Sequence, residues 1–267
     1  NFIGHHHTVK YITPYVEKYL RFKKFFPGCE VFFLRFNRLL RHTPPDLFLK
    51  TINSCFKPVM VIAGENFRFG YKTQGNYEFL QSFFQRIKVE TAIIPSITLN
   101  GNVISSTMVR QAIEKGDLQK ANSALGYPFS IRGRIVKGKQ LGSRIGFPTA
   151  NLYPVSSKIM PPYGVYFGSI ECQNSNLPAL IYIGTKPSVT QSRRIVVEVH
   201  IGQRIQQPLY DERVEVRLMQ FWRLEKLFPS IQALKEQIIL DQAAFDAYLQ
   251  HTQGMINYTS NVMKLEV

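Results

Sequence analysis

Apolar residues follow two rhythms along this chain, and the rhythm changes close to residue 125. In the first stretch, helix-spaced groups alternate with short continuous apolar runs. Val16, Tyr19, Leu20 and Phe26 recur at helical intervals after Thr13-Pro14, and Pro27-Gly28 ends the pattern, which predicts a first helix. Thr43-Pro44-Pro45-Asp46 opens another, and Phe79, Leu80, Phe83 and Phe84 mark a third. Between them, the runs at 31–36, 59–63 and 91–94 read as buried strands. This alternation predicts a parallel sheet with helices on its faces, a Rossmann-like α/β domain.

Ligands of such sheets bind beyond the carboxyl ends of the strands. Two segments fall there: the loop 64–70, which carries Asn66, and the stretch 104–110. Ser105 or Ser106 can cap the helix that follows. Their hydroxyls, Thr107, the free N–H groups of the first turn and Arg110 could then converge on a phosphate, although an ordinary capped helix uses the same residues.

After Gly126-Tyr127-Pro128 the pattern shortens. Strand-like runs at 130–136, 164–170, 179–183, 194–201 and 213–219 are separated by Gly, Pro and Asn, which predicts an antiparallel barrel or sandwich. Helical spacing returns only at Ile231, Leu234, Ile238, Phe245 and Leu249, behind a Pro229-Ser230 start. The expected organisation is therefore an α/β domain over 1–124, a β domain with a C-terminal helix over 125–250, and a polar tail over 251–267.

Composition narrows the class. With 267 residues and 45% apolar side chains the chain can build real cores. No apolar run approaches a bilayer span and no secretory leader is visible, so a cytoplasmic protein without membrane attachment is expected. Cys29, Cys55 and Cys172 are scattered and odd in number, consistent with free thiols in a reducing compartment. The net charge of +15 favours anionic partners such as nucleotides. Its spread along the chain, without a nucleic-acid-binding signature, makes nucleic acid an unexpected partner.

Two stretches carry candidate chemistry. In 142–151, Gly142 and Gly146 let the backbone approach a phosphate, and Phe147-Pro148 stiffens the exit. Thr149 and Asn151 then present a hydroxyl and an amide, groups that bind Mg²⁺ and phosphate oxygens. A plain Gly/Pro turn between strands would look the same. In 195–201, strand alternation puts Glu198 and His200 on one face and Val197, Val199 and Ile201 on the other. Glu198 is thus a candidate general base, or one member of a solvated polar stripe.

Several motifs in order resemble one family. Gly126-Tyr127-Pro128-Phe129, Gly133, Gly138, Gly142, Gly146-Phe147-Pro148-Thr149-Ala150-Asn151, Pro161-Pro162-Tyr163-Gly164, Ile183-Gly184-Thr185 and Val197-Glu198-Val199-His200 are similar to the riboflavin kinase domain. The segments 64–70 and 104–110 are similar to the adenylyltransferase half of the same bacterial proteins, the bifunctional riboflavin kinase/FMN adenylyltransferases, or FAD synthetases.

The resemblance implies a six-stranded kinase barrel that transfers the ATP γ-phosphoryl group to the riboflavin 5′-hydroxyl, giving FMN. It implies that Gly142, Gly146, Phe147 and Pro148 cover the nucleotide, that Thr149 and Asn151 handle Mg²⁺ and the ATP phosphates, and that Glu198 deprotonates the ribityl hydroxyl. The flavin ring is expected near 221–228. Ser143, Tyr182 and Asp211 depart from the Arg, Asn and Gly usual at those places.

In the first half, the adenylyltransferase-like nucleotide site would comprise Gly4, His6, Asn66, Ser105, Ser106, Thr107 and Arg110. Thr8 and Val9 replace the second Gly and His of the family's opening turn, and the strand and Pro-His segment that follow in the family have no counterpart. The expectation is a riboflavin kinase with a shortened adenylyltransferase-like half, with ATP and riboflavin as small-molecule substrates. Conversion of FMN to FAD is left open. The alternatives are a fully bifunctional FAD synthetase and a non-catalytic flavin- or nucleotide-responsive regulator.

Overall fold

The computed structural model describes residues 10–138, 142, 145–173, 175–187, 193–202 and 209–256, excluding the side chains of 186, 187, 193 and 253–256. In chain order the elements are α1 (Tyr15–Phe25), α2 (Arg38–His42), α3 (Pro45–Phe56), β1 (Met60–Gly64), α4 (Tyr77–Arg86), β2 (Glu90–Ile94), β3 (Thr98–Leu99), β4 (Asn102–Val103), α5 (Ser106–Lys115) and α6 (Leu118–Leu125). Strands β5 (Phe129–Val136), β6 (Thr149–Leu152), β7 (Gly164–Cys172), β8 (Ser175–Pro187), β9 (Arg193–His200) and β10 (Arg213–Leu224) follow, and α7 (Ile231–Ile256) closes the described chain.

The helix ends sit where the polar residues put them. Asn76 accepts from Phe79 N at the start of α4, Ser105 from Met108 N at the start of α5, and Asp117 from Lys120 N at the start of α6. Gly116 and Gly126, at φ of 76° and 72°, end α5 and α6 in the left-handed conformation.

The chain divides into two compact units, residues 21–104 and residues 1–20 with 105–267. In the first, β1 and β2 pair in parallel from Met60↔Glu90 to Gly64↔Ile94. One core forms from Leu49 of α3, Phe69, and Leu80 and Phe84 of α4, with Val61, Ala63 and Ile93 packed against it. The opposite parity of β1 is open: Met60 is 41% exposed and Ile62 64%.

The strand expected at 31–36 is not formed, which corrects the reading of that apolar run. Among the described residues it joins no ladder, and Phe32, Phe33, Leu34 and Phe36 are exposed. Backbone N–H and C=O groups require a neighbouring strand, and apolarity alone does not supply one.

In the second unit the six strands close into a barrel in the order β10-β5-β6-β9-β8-β7. Period-two burial fills its interior. Ile131, Leu152, Tyr166, Ile170, Ile181, Ile183, Val197, Val216 and Leu218 are all fully buried. Helices α5 and α6 belong to this unit, and the Asn122 side chain ties α6 to two strands, donating to Leu218 O at 3.0 Å and accepting from Phe129 N at 2.7 Å.

The segment ahead of α1 adds a short parallel bridge at Tyr11↔Lys158, and Glu17 inserts a buried carboxylate that accepts from Lys158 Nζ at 2.5 Å. Burial raises the Glu17 pKa above its usual value, while Lys158 pulls it the other way. At the far end α7 continues to Ile256, past the expected start of the tail.

Candidate functional site

Glu198 stands on the outer face of the barrel, as the alternation within 195–201 predicts. Val197 and Val199 are buried inside, and Glu198 and His200 are partly exposed on the other side. Because β9 lies between β6 and β8, Glu198 faces Asn151 on one side and Tyr182 on the other. Thr149, two residues before Asn151, shares its face and donates its hydroxyl to Glu198 Oε2 over 3.3 Å. A hydroxyl, an amide and a carboxylate are thus gathered from two adjacent strands.

The preceding loop is built to hold Thr149 there. Ile145 N and Phe147 N donate to Gly142 O at 3.1 and 2.8 Å. A Cβ at Gly142 would lie 2.2 Å from Phe147 O, and Gly146 adopts φ +93°, so both positions require glycine. His200 Nδ1 lies 2.8 Å from Pro148 O, and its ring meets Phe147 edge-on at 5.5 Å. These contacts anchor the loop exit to β9.

A cavity of about 680 Å³ opens against this face. Gly142 and, from β6 and β9, Thr149, Asn151, Glu198 and His200 line one part of it. Val165, Leu180 and Tyr182 from the barrel, Arg223, Glu225 to Ser230, and Ile231, Leu234, Ile238 and Asp241 of α7 also line it. A mostly apolar chamber with a few converging polar groups is the usual form of a small-molecule site.

The wall formed by α7 is fixed through Asp241, which is 2% exposed. Arg223 grips it bidentately, Nε to Oδ1 at 2.8 Å and Nη2 to Oδ2 at 2.6 Å, and Trp222 Nε1 and Gln237 Nε2 donate at 3.2 and 3.0 Å. The sequence reading did not pick out this pair. A signal was present: Asp241 sits in the stripe of Leu234, Ile238 and Phe245, where a charge is buried and needs a partner.

The Tyr182–Glu225 hydrogen bond was not foreseen either. The Tyr182 phenol is held well above its usual pKa by burial, by its donation to Glu225 and by the nearby charge of Glu198.

The adenylyltransferase-like residues are distributed differently. Gly4 and His6 lie outside the described residues. Asn66 is in the 21–104 unit, where its Nδ2 donates to Ser96 Oγ at 2.6 Å. Ser105, Ser106, Thr107 and Arg110 belong to the barrel unit. Ser105 caps α5, Ser106 and Thr107 occupy its exposed first turn, and Arg110 Nε reaches Lys10 O at 3.5 Å. The structure therefore brings the kinase-like residues together, while Asn66 is in a different unit from Ser105, Ser106, Thr107 and Arg110.

Two family models match, one described as riboflavin kinase over residues 125–249 and one described as FAD synthetase over residues 2–108. A bifunctional riboflavin kinase/FMN adenylyltransferase of Haemophilus influenzae is 32% identical over 216 residues, covering 80% of this chain and 69% of that protein. The protein of the same description in Escherichia coli (strain K12) is 36% identical over 198 residues, covering 74% of this chain; this chain spans 61% of its length. Among solved structures, the macrolide-efflux protein from Streptococcus pneumoniae superposes with a TM-score of 0.79 at 28% identity, covering 91% of this chain and 79% of that one.

Proposed function

This chain belongs to the bifunctional riboflavin kinase/FMN adenylyltransferase family, and from that premise and the cavity's geometry we propose that its barrel transfers the γ-phosphoryl group of ATP to the 5′-hydroxyl of riboflavin. The products are FMN and ADP. The observation that carries the proposal is the meeting of Thr149, Asn151 and Glu198 in the wall of a mostly apolar cavity.

Phosphoryl transfer requires an oriented hydroxyl, held phosphates and neutralised charge, with little covalent work from the protein. In this reading the apolar chamber receives the isoalloxazine ring and directs the ribityl chain towards Glu198. The Glu198 carboxylate takes the proton from the 5′-hydroxyl as its oxygen attacks the γ-phosphorus, and ADP leaves on the opposite side. Gly142 and Gly146 let the backbone of the loop before Thr149 approach the phosphates closely.

Thr149 Oγ1 and the Asn151 amide oxygen, uncharged hard donors next to a carboxylate, suit Mg²⁺ and would hold it. Bound there, the ion would neutralise charge on the β- and γ-phosphate oxygens. With ATP as donor, the reaction belongs in the cytoplasm.

The match at 2–108 favours a second activity, adenylylation of FMN to FAD, with Ser105, Ser106, Thr107 and Arg110 presenting a helix N-terminus and a guanidinium to an ATP phosphate. We rank it second because Thr8 and Val9 replace the second Gly and His of the family's opening turn.

Incubating the purified chain with riboflavin, Mg²⁺ and γ-labelled ATP tests both. Label is expected in FMN. Label remaining in ATP, with no FMN by chromatography, contradicts the kinase reading. Release of pyrophosphate with FAD would establish the second activity.

A further inference from the structure

The side chain of Tyr182 reaches from β8 to the segment that follows β10. It projects from β8 on the cavity face beside Glu198, runs along its own strand over Gly184, and donates its hydroxyl to Glu225 Oε1. A Cβ at Gly184 would lie 2.1 Å from the phenol oxygen, so the glycine leaves the space in which the ring lies. Glu225 is held a second time through its backbone, which donates to Tyr163 O at 3.2 Å.

Residue 225 begins the segment that forms one lip of the cavity. Beyond it, Lys226 to Ser230 line the chamber before α7 starts, and Ser230 caps that helix by accepting from Ala233 N at 3.1 Å. Two residues before Glu225, Arg223 is clamped to the buried Asp241 of α7. Within this span Leu227 is 99% exposed although it lines the cavity. An apolar side chain standing in water at the mouth of an apolar chamber gains from contact with a flat apolar ligand.

We propose that Tyr182, acting through Glu225, is a positioning residue that sets the Leu227–Phe228 lip at the height of the flavin ring and thereby determines affinity for the flavin substrate. This rests on the riboflavin kinase reading of the same cavity. The phenol is a neutral hydrogen-bond donor, and burial and Glu225 raise its pKa further. It acts on the lip, since Glu225 directly precedes Lys226 to Ser230 in the chain, while Thr149 and Asn151 stand on β6.

The test is the split between kinetic constants, with binding as an independent readout. Tyr182→Phe keeps the ring and removes the donor. It is expected to raise the riboflavin KM and the riboflavin Kd, read by quenching of flavin fluorescence, by about three- to tenfold, as for loss of one ordinary hydrogen bond. The KM for ATP and the melting temperature stay near wild type.

Gly184→Ala, which displaces the phenol, should reproduce this pattern. Glu225→Gln, which still accepts through its amide oxygen, should recover most of the affinity that Glu225→Leu loses. An unchanged riboflavin Kd in Tyr182→Phe overturns the proposal, as does an equal rise in both KM values with a fall in melting temperature. The quenching measurement needs no turnover. Failure of the chain to make FMN would therefore strike the kinase reading alone, and failure of the wild-type chain to bind riboflavin would strike both.

Discussion

The barrel and the 21–104 unit use the same vocabulary of apolar strands and aromatic-rich helices, yet only the barrel gives every strand two neighbours. Closure of β5 to β10 pairs each of the six strands on both sides and seals a continuous interior. The 21–104 unit has two parallel strands, a core of four buried residues and one face of β1 in the open. The difference bears on function. A site made from adjacent strands of a closed sheet inherits fixed distances, as between Thr149 and Glu198, whereas loops on a two-stranded sheet have fewer constraints. The rigid region is therefore the one we assign to chemistry.

The comparison would break first at the barrel's outer wall. Asp241→Ala strips four donors of their shared acceptor and leaves Arg223 unpaired beside α7. It should cost about 3–5 kcal/mol in denaturant unfolding of the barrel. A loss below about 1 kcal/mol would mean that α7 is not pinned through this pair.

Next comes the same substitution in both regions. Ile131→Ala empties a fully buried interior position and should cost about 2–5 kcal/mol. Ile62→Ala, at a position 64% exposed on β1, should fall within about 0.5 kcal/mol. Similar losses at the two positions would show that β1 is covered in solution.

A smaller effect comes from Glu17. Its pKa is raised in the folded state, so the stability it contributes is full below its ordinary value of 4.5 and is lost as pH rises through the raised value. Measured by unfolding across that range, wild type should lose stability relative to Glu17→Gln by about 1.4 kcal/mol for each unit of elevation. The opposite slope would mean that Lys158 outweighs burial.

The smallest effect is at Asp211, held at φ +65°, a conformation that favours glycine. Asp211→Gly should stabilise the barrel by about 0.5 kcal/mol or less, because its exposed contact with Arg134 at 3.6 Å contributes little.

Much of the barrel was legible because its signals are local. Alternation within 195–201 separated Glu198 and His200 from Val197 and Val199, and Ser105 marked the start of α5. What escaped depended on partners distant in sequence. Tyr182 meets Glu225 across 43 residues, and Arg223 meets Asp241 across 18. The run 31–36 has strand composition, but forming a strand depends on a neighbour that its own residues do not specify. The placement of α5 and α6 with the barrel likewise turns on Asn122 reaching Leu218 and Phe129, a packing choice without a periodic trace.

The most direct test of the central claim is the rate of FMN formation from riboflavin, ATP and Mg²⁺ by the wild-type chain and by Glu198→Gln, measured side by side with melting temperatures. Wild type is predicted to make FMN. The variant, equally folded, should turn over about a hundredfold to ten-thousandfold more slowly, as expected for loss of a general base. Equal turnover by the two proteins, or no FMN from wild type, would contradict the account.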